Sequence, residues 1–510
     1  MISLPIDRTA ALAAVSGLLL ALAFPRPDWA ELAWVALVPL LLVMDKRPFH
    51  SGFTAGVAFF ALVLYWLNIV MTTYGGLHPV LSVVAYLLLV LYLALFFGAA
   101  TWAAARLREK LGYSPVLTLP VLWVALEFLR SFLFTGFPWA SLGYALQSRL
   151  VLIQSADLFG VYGLSFLLVL SNAALAEGVR WLRRSRNFPG MALGVLAVLF
   201  SANIAYGLWR MDAGGDAREQ RLRVALIQGN IDQGIKWDPA YQEETIRIYR
   251  DLSRQVSGRE DLDLLIWPEA ATPFYFQDPS ALSQQVAQVP VETGAFLLFG
   301  SPAYEVVNRQ YEYLNSAFLL SPAGEILGRS DKVHLVPFGE YVPLKRFLPF
   351  VDKLVVGIGD FSPGTVRPLP MDGARLGILV CYEAIFPELA RDFVRQGSDL
   401  LINITNDAWF GRSSAPYQHL AMSRFRAVEN RVWLARAANT GISAFVTPSG
   451  RVLEATPIFE TAAVAAEVGV GAGPSLYRRI GDSVPMAFMG LSVLWLVLTR
   501  RRMESAANGS

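Results

Sequence analysis

Thiol groups are almost absent from this chain, which has one cysteine, Cys381, among its 510 residues. A lone cysteine cannot form an internal disulfide or build a thiolate metal centre by itself. Histidine is scarce too, and its four positions do not cluster at ligand spacing; they are His50, His78, His334 and His419. The sequence therefore predicts no metal and no cofactor. Cys381 is either an inert packed side chain or a reactive nucleophile.

Charge is also scarce, since only 16% of the residues are charged and the formal net charge is +2. A net charge this small gives no reason to expect a nucleic-acid partner. Soluble globular proteins have about a quarter of their residues charged. Because hydrophobic residues make up 54% of the chain, the composition indicates a membrane protein.

Apolar stretches of roughly membrane-spanning length recur in the first part of the chain and once near its end. The eight stretches are residues 9–24, 29–44, 52–71, 81–105, 116–134, 160–176, 191–209 and 484–498. The first two are short, so a re-entrant hairpin is an alternative to two separate spans. The first stretch is not followed by a small-residue cleavage site, so we expect it to stay attached. The sequence thus predicts eight transmembrane helices.

The loop cations predict the orientation of these spans, because lysine and arginine are retained on the cytoplasmic side. They concentrate in the second, fourth and sixth loops, at Lys46, Arg47, Arg106, Arg108, Lys110, Arg180, Arg183, Arg184 and Arg186. The segment after the seventh span is therefore predicted to be external. We expect transmembrane helices 1–7 in residues 1–211, an external domain in residues 212–475, and helix 8 with a short cytoplasmic tail in residues 476–510.

The external segment alternates short apolar runs with helical patterns, which is typical of an α/β domain with a buried sheet. Glu269 and Cys381 each follow such a run, and Lys332 stands eight residues before a second glutamate, Glu340. Taken singly, each residue has an ordinary interpretation as a solvated glutamate, a surface ion pair or a packed cysteine. Together they form a chemically coherent set at the ends of separate strands.

That set suits nucleophilic catalysis by the thiol. A free thiol has a pKa of about 8.5, so it needs a nearby base or cation to become a thiolate. Glu269 can accept the proton, and the Lys332 ammonium can stabilise both the thiolate and an oxyanion. The backbone N–H of Tyr382 is the natural second oxyanion donor.

Three motifs carry a resemblance to a known family. They are Trp-Pro-Glu at 267–269, Lys-x-His-Leu-Val-Pro-Phe-Gly-Glu-Tyr-Val-Pro at 332–343, and Cys-Tyr-Glu at 381–383. These segments resemble the catalytic segments of the nitrilase superfamily and, within it, the bacterial apolipoprotein N-acyltransferases. The segments around Gln228 to Trp237 and Thr135 to Tyr144 also resemble that family, so the similarity extends over nearly the whole chain.

The resemblance implies an external nitrilase-like domain of the α-β-β-α sandwich type, on the periplasmic side of the bacterial inner membrane. It implies that Cys381 takes an acyl chain from a phospholipid, phosphatidylethanolamine being the usual donor, as a thioester. The acceptor would be the α-amine of the S-diacylglyceryl-cysteine of an apolipoprotein. Glu269 would be the base, Lys332 the oxyanion stabiliser, and Glu340 and Glu383 supporting carboxylates.

The resemblance also implies a substrate-binding role for Asn315, and Trp237 is interpreted as an acyl-chain or headgroup contact, with a core aromatic as the alternative. Residues 349–359 form an apolar, glycine-bearing segment that could be a lid at the interface or a core strand. Glu127 and Arg130 share a helix face within a predicted span, where a structural pair is favoured over a headgroup site.

Other functions stay open at this point. A membrane-tethered amidase or hydrolase would use the same Glu-Lys-Cys set and hand the acyl group to water. A transporter with an external binding domain, or a scaffold, would explain the spans but would leave that set as a coincidence.

Overall fold

The structure is a computed structural model, and it describes residues 7–184, 187–212, 216, 218, 220–341 and 361–508, with only the backbone described for residues 503–508. The predicted lid, residues 349–359, lies outside the described residues. The chain divides into two compact units. One contains residues 1–65, 80–213 and 479–510, and the other contains residues 66–79 and 214–478.

Helices form most of the first unit and also occur in the second. In chain order the α-helices are α1 Arg8–Leu22, α2 Val38–Val43, α3 Pro48–Val63, α4 Leu67–Ile69, α5 Pro79–Leu111, α6 Pro115–Phe132, α7 Leu150–Ile153, α8 Ala156–Leu182, α9 Gly190–Asp212, α10 Gln242–Ser257, α11 Ala281–Thr293, α12 Pro387–Arg395, α13 Ala415–Asn430, α14 Leu476–Ile480 and α15 Ser483–Asn508. Outward-facing leucine, valine and phenylalanine side chains cover much of the long helices of the first unit, as expected for surfaces that meet lipid.

Five helices in the described part of the chain are long and apolar enough to cross a membrane: α5, α6, α8, α9 and α15. A sixth span is possible if α3 and the helical segment Leu67–Tyr74 count as one, although they are bent by 57°. All six coincide with predicted stretches. The first two predicted stretches form shorter apolar helices, Arg8–Leu22 and Ala30–Val43. The count of eight spans therefore stays a prediction.

Glu127 and Arg130 of α6 are both buried, and both bind the segment that follows the helix. Arg130 donates hydrogen bonds to the carbonyl oxygens of Phe137 and Trp139 at 3.1 and 2.6 Å. Glu127 accepts one from the backbone N–H of Leu142 at 2.8 Å. These contacts satisfy backbone groups where water is excluded, and they support the structural interpretation of the two residues.

The second unit contains two six-stranded sheets. The strands are β1 Arg221–Gln228, β2 Leu264–Ile266, β3 Phe296–Val307, β4 Gln310–Leu320, β5 Ile326–Asp331, β6 Leu369–Met371, β7 Ala374–Val380, β8 Leu400–Thr405, β9 Leu434–Ala438, β10 Ala444–Val446, β11 Val452–Leu453 and β12 Ala462–Gly469. The first sheet has the order β12-β1-β2-β3-β4-β5, and the second has the order β11-β10-β9-β8-β7-β6. The central strands β1, β2 and β3, and likewise β7, β8 and β9, are parallel.

The two sheets pack face to face, because one apolar core contains side chains from both, including Leu226 and Ile266 of the first and Ile378 and Ile402 of the second. A second core joins the outer face of the first sheet to α10 and α11. Helices α12 and α13 contact β7 and β9 of the second sheet. This is the α-β-β-α sandwich that the resemblance implied, so that part of the predicted fold is confirmed.

The segment 66–79 was predicted to end the third span and form an external loop, and in the structure it packs within the sheet-containing unit. The Trp66 ring meets the Phe410 ring edge-on at 5.0 Å between centroids, and Tyr74 meets Trp409 in the same way at 5.8 Å. Hydropathy could not predict this, because aromatic side chains suit both a lipid interface and a protein core. The predicted domain boundaries otherwise remain predictions.

Candidate active site

Three predicted site residues follow strands of the sandwich directly or within a short turn. Glu269 lies three residues after the end of β2, Lys332 immediately after β5, and Cys381 immediately after β7. Each strand is held by ladder hydrogen bonds to its neighbours, so the residue after it has a fixed starting point. The apolar runs before Glu269 and Cys381 thus become buried strands, and the polar residues that follow the strands lie at their ends.

Lys332 is at the centre of a group of carboxylates. Its Nζ donates to Oε1 of Glu340 at 2.8 Å and lies 3.7 Å from Oε1 of Glu269. The lysine side chain is 1% exposed, while those of Glu269 and Glu340 are 9% and 12% exposed. Burial disfavours the ammonium, but Glu340 and Glu269 outweigh that effect and raise the pKa of Lys332. The lysine therefore stays a cation within the site.

Asn315 of β4 links the two carboxylates. Its Nδ2 donates to Oε1 of Glu269 at 2.8 Å and to Oε1 of Glu340 at 2.9 Å. The remaining Oε2 of Glu269 accepts the backbone N–H of Asn406 at 2.9 Å. Asn315 therefore orients both glutamates, and its substrate-binding role stays a prediction.

Gly300 of β3 allows the close approach of the strand to the turn that carries Glu269. A Cβ on Gly300 would lie 2.7 Å from the Cα of Glu269 and 2.5 Å from the backbone nitrogen of Ala270. Real Cβ contacts are essentially never that short. The position of the glutamate thus depends on a missing side chain on the neighbouring strand.

Cys381 occupies the left-handed region of the backbone map, with φ of 55°, which is uncommon for a residue other than glycine. It begins a short 3₁₀ turn, Cys381–Ile385, and its side chain is partly buried. Burial and the charge of Glu269 raise the pKa of the thiol, while the charge of Lys332 lowers it. The raising effects dominate, so the resting side chain is a protonated thiol.

Glu383 connects the cysteine strand to the lysine loop. One of its oxygens accepts the backbone N–H groups of Val333 and His334 at 2.6 and 2.8 Å, and the other accepts that of Val380 at 2.6 Å. Burial raises the pKa of Glu383 to about 7, although these hydrogen bonds oppose the shift. Tyr382, next to it, packs its ring edge-on against Phe386 at 5.2 Å. Both residues thus support the loop that carries Cys381.

Trp237 is 50% exposed, so the alternative of a core aromatic is wrong. Its neighbour Lys236 is fully buried and donates to the carbonyl oxygen of Glu269 at 3.1 Å. Burial lowers the pKa of Lys236 to about 8, against the opposing charges of Glu269 and Cys381. Lys236 was noted in the sequence only as part of a matching segment, because lysine is seldom buried and its burial cannot be deduced locally.

A second polar cluster lies behind Cys381 and was missed in the sequence. Arg436 of β9 donates to Oδ2 of Asp407 at 2.7 Å, and His419 of α13 has Nδ1 3.1 Å from Oδ1 of the same aspartate. All three side chains are fully buried. Asp407 follows β8 closely, so the rule that polar residues collect at strand ends could have indicated it. His419 and Arg436 carry no such local signal.

Metal-binding groups of three or more His, Cys, Asp or Glu side chains were not found in the part of the chain that the structure describes. The charged groups near Cys381 are instead paired with lysine, arginine or backbone donors. A thiol, a carboxylate that can accept its proton and a fixed ammonium group are the groups that acyl transfer through a covalent intermediate requires.

Comparison with known proteins gives two family matches. Residues 16–174 match the apolipoprotein N-acyltransferase N-terminal domain, and residues 223–471 match the carbon-nitrogen hydrolase domain. An apolipoprotein N-acyltransferase of Geobacter metallireducens is 50% identical over 500 residues, covering 96% of this chain and 95% of its own. Relatives of the same name from Nitrosomonas europaea and Pseudomonas putida are both 36% identical and cover 90% of each chain.

Proposed function

Because this chain belongs to the apolipoprotein N-acyltransferase family, we propose that it transfers a fatty acyl chain from a phospholipid to an apolipoprotein through a thioester on Cys381. The chain is an acyltransferase of the nitrilase superfamily, and its apolar helices agree with a membrane enzyme. The observation that carries the thioester proposal is that Glu383 ties the strand ending at Cys381 to the loop that begins at Lys332, whose Nζ lies 3.7 Å from Oε1 of Glu269.

In the first proposed step, Glu269 accepts the thiol proton as the sulfur attacks an ester carbonyl carbon of the donor. The Lys332 ammonium and the Tyr382 N–H stabilise the resulting oxyanion. The carbon–oxygen bond to the glycerol then breaks, and Glu269 returns the proton to the departing oxygen. The products are an acyl thioester on Cys381 and a lysophospholipid.

In the second proposed step, the α-amine of an S-diacylglyceryl-cysteine attacks the thioester carbonyl. Glu269 takes a proton from the amine, the carbon–sulfur bond breaks, and the proton returns to the sulfur. An amide forms and the free thiol is restored. Glu340 and Asn315 keep Glu269 and Lys332 in place through both half-reactions, and their hydrogen bonds support that role.

The raised pKa of the thiol supports a role for a general base. A thiol that is protonated at rest cannot attack an ester efficiently until a neighbour removes its proton. Glu269 is the carboxylate that affects the Cys381 pKa most strongly, and its side chain is partly open. Storing the sulfur as a thiol also protects it from unwanted alkylation or oxidation between turnovers.

The donor class and the location belong to the same proposal. Phosphatidylethanolamine is the proposed donor, and the proposed location is the bacterial inner membrane with the sandwich on the periplasmic side. The half-exposed Trp237 supports a rim position at which an acyl chain or headgroup could pack. Both substrates carry long acyl chains, so a site beside the outer leaflet would let each enter from the lipid.

A second candidate function is hydrolysis, which the match to a carbon-nitrogen hydrolase domain favours. The two functions share the thioester and differ only in whether an amine or water removes the acyl group. Intact-mass measurement separates them. We expect an acyl adduct after incubation with phosphatidylethanolamine, and its loss on addition of an S-diacylglyceryl-cysteine peptide, with the N-acylated peptide as product. Loss at the same rate in water alone would establish hydrolysis instead.

The matched control for that measurement is Cys381→Ala, which removes the chain's only thiol. The variant should form no adduct while it still binds lipid. Turnover by Cys381→Ala would contradict the nucleophile assignment, because no other side chain in the sequence could form a thioester.

A further inference from the structure

The peptide bond between Cys381 and Tyr382 is held from the side of the second sheet. The carbonyl oxygen of Cys381 lies 3.1 Å from Nε2 of His419 and 3.3 Å from Nδ2 of Asn403, which donates to it. Asn403 belongs to β8 and His419 to α13, so two separate elements meet at one carbonyl group. Both side chains are fully buried.

The protonation of His419 follows from its neighbours. A backbone carbonyl oxygen can only accept a hydrogen bond, so Nε2 must carry a proton to bind Cys381. On the other side of the ring, Nδ1 lies 3.1 Å from Nη2 of Arg436, which has protons to donate. Burial and the charge of Arg436 lower the pKa of His419, and they outweigh Asp407, which opposes the shift. The neutral ring then carries its single proton on Nε2.

The histidine is itself oriented by charged groups. Because Nδ1 carries no proton, Asp407 orients the ring through Arg436, whose Nη2 donates to Oδ2 of Asp407 at 2.7 Å and to Nδ1 at 3.1 Å. Asp407 also accepts from the Thr405 hydroxyl at 2.9 Å. Arg436 also donates to the side-chain oxygen of Asn403, so both donors to the Cys381 carbonyl are tied to one arginine. Each member is held by at least one other, and the group has little freedom to rearrange.

This rigidity acts on a strained segment. A residue other than glycine in the left-handed region is strained and persists only where its surroundings hold it there. Cys381 has φ of 55°, and its carbonyl is the group that the cluster holds. Because a peptide bond is planar, fixing the carbonyl of Cys381 also fixes the direction of the Tyr382 N–H on the opposite side of that plane.

We propose that His419, oriented by Asp407 and Arg436 and assisted by Asn403, is a positioning residue that aims the Tyr382 N–H at the oxyanion formed on Cys381. The inference rests on the proposed function, because it assumes that the sulfur attacks an ester carbonyl. His419 does not touch substrate in this arrangement. It acts through one peptide bond, and its hydrogen bond to the carbonyl also polarises that peptide and strengthens the N–H as a donor.

The chain's single cysteine permits a test that separates positioning from general damage. Iodoacetamide alkylates Cys381 by displacement at a saturated carbon, which forms no oxyanion, whereas acylation by phosphatidylethanolamine forms one. Both products are read as mass shifts on the same thiol. For His419→Leu we expect acylation to slow by about 10- to 100-fold, less than the effect of about 100-fold or more seen when an oxyanion donor is removed outright. Alkylation should change by less than about threefold, and the KM for lipid should not change.

Two further variants complete the comparison. His419→Gln keeps an amide N–H near the position of Nε2 and should recover most of the acylation rate. Asn430→Ala, in the same helix and also buried, should leave both rates unchanged, since its side chain bonds the carbonyl of Arg426 instead. If His419→Leu does not fold, Asn403→Leu carries the test, because it removes the amide donor without adding a charge beside Cys381 and should show the same split.

Three results would overturn the proposal. Equal slowing of acylation and alkylation in a folded variant would indicate an effect on the thiol itself. Unchanged acylation in His419→Leu would remove the positioning role. A wild-type protein that is alkylated but never acylated would refute the proposed function and, with it, this inference. That outcome differs from the other two because the failure to acylate occurs in the wild-type protein, whose thiol still reacts with iodoacetamide.

Discussion

Two buried polar clusters flank Cys381 in the same sandwich, and they differ in what they leave open. The cluster of the first sheet joins Lys332 to Glu269 and Glu340, whose side chains keep 9% and 12% of their surface exposed. The cluster of the second sheet joins Arg436, Asp407 and His419, which have no exposed surface. Each contains a cation and at least one carboxylate.

The difference in exposure separates proton exchange from positioning. A carboxylate that is partly open can meet a substrate and exchange a proton with it. A sealed cluster cannot, so what it contributes is a fixed arrangement of the groups it binds. We therefore assign the chemistry to the first cluster and the support of the Cys381 backbone to the second, and changes in the two should have different signatures.

The largest expected effect is on chemistry in the first cluster. Glu269→Gln should slow acylation of Cys381 by about 100- to 10,000-fold, the usual contribution of a general base. Alkylation by iodoacetamide should stay the same or become faster, because removing the carboxylate charge lowers the pKa of the thiol. The two rates are measured by mass on one sample. Glu292→Gln, a change in a surface partner of Arg254, is the control. Acylation of Glu269→Gln at close to the wild-type rate would contradict the base role.

Lys332→Met should slow acylation by about 100- to 1,000-fold, since it removes a preorganised oxyanion stabiliser. Here alkylation should also become slower, because Lys332 lowers the Cys381 pKa and its loss leaves less thiolate. Opposite directions of the alkylation effect in Glu269→Gln and Lys332→Met would show that the two side chains act on the thiol pKa through opposite charges. Alkylation that moves in the same direction in both variants would argue against this assignment.

In the second cluster the expected effect is on stability. Arg436→Met should lower the free energy of unfolding by about 3–5 kcal/mol, because Asp407 would be left as a buried and uncompensated charge. The matched control is Arg254→Met, which breaks a solvent-screened pair with Glu292 and should lower the stability far less. Denaturant titration of the two variants measures the difference. Equal losses of unfolding free energy in the two variants would mean that Arg436 does not compensate the buried charge of Asp407.

The pH dependence gives a smaller effect that tests the state of the thiol. Burial and Glu269 raise the pKa of Cys381, so the thiolate fraction near neutral pH is low and increases with pH. The alkylation rate should therefore continue to rise through about pH 9, where that of an unperturbed thiol with a pKa of about 8.5 is already levelling off. A plateau below about pH 8 would show that the resting side chain is a thiolate.

The smallest expected effect is at the rim. Trp237→Ala should raise the KM for phosphatidylethanolamine by several-fold and change kcat little, because a half-exposed aromatic contributes about 1–3 kcal/mol of uniform binding at most. Trp237→Phe should recover most of the affinity if apolar contact is what matters. A large fall in kcat with unchanged KM would assign the tryptophan to chemistry instead.

Local patterns predicted an α/β domain with a buried sheet and polar residues at strand ends, because both depend on short-range features. The sandwich type was implied only by the resemblance. The apolar runs before Glu269 and Cys381 are buried strands, and their periodicity does not depend on distant residues. Asn315 was expected only from a resemblance, and the structure places it between two carboxylates. Trp237 is half exposed and the adjacent Lys236 is fully buried, the reverse of what their hydrophobicity predicts. The sequence around the two residues does not indicate this reversal.

Local sequence patterns did not predict the bend between α3 and the segment Leu67–Tyr74, or the cluster of Asp407, His419 and Arg436. Residues 64–66 interrupt an apolar stretch without a proline or a charge, so hydropathy gives one continuous span. Asp407, His419 and Arg436 stand far apart in sequence on a 3₁₀ turn, a helix and a strand, and only the packing of α13 against the second sheet brings them together.

The sequence by itself determined which residues carry reactive groups, which stretches are apolar enough to enter a membrane, and where strands end in polar side chains. These properties follow from side-chain chemistry and from periodicities of two and 3.6 residues. Only the tertiary structure decided which charged side chains are buried together, which carbonyl oxygen His419 binds, and that Cys381 adopts a left-handed backbone conformation. Such pairings span tens to hundreds of residues along the chain, and their energies depend on the exclusion of water, which no local stretch of sequence can specify.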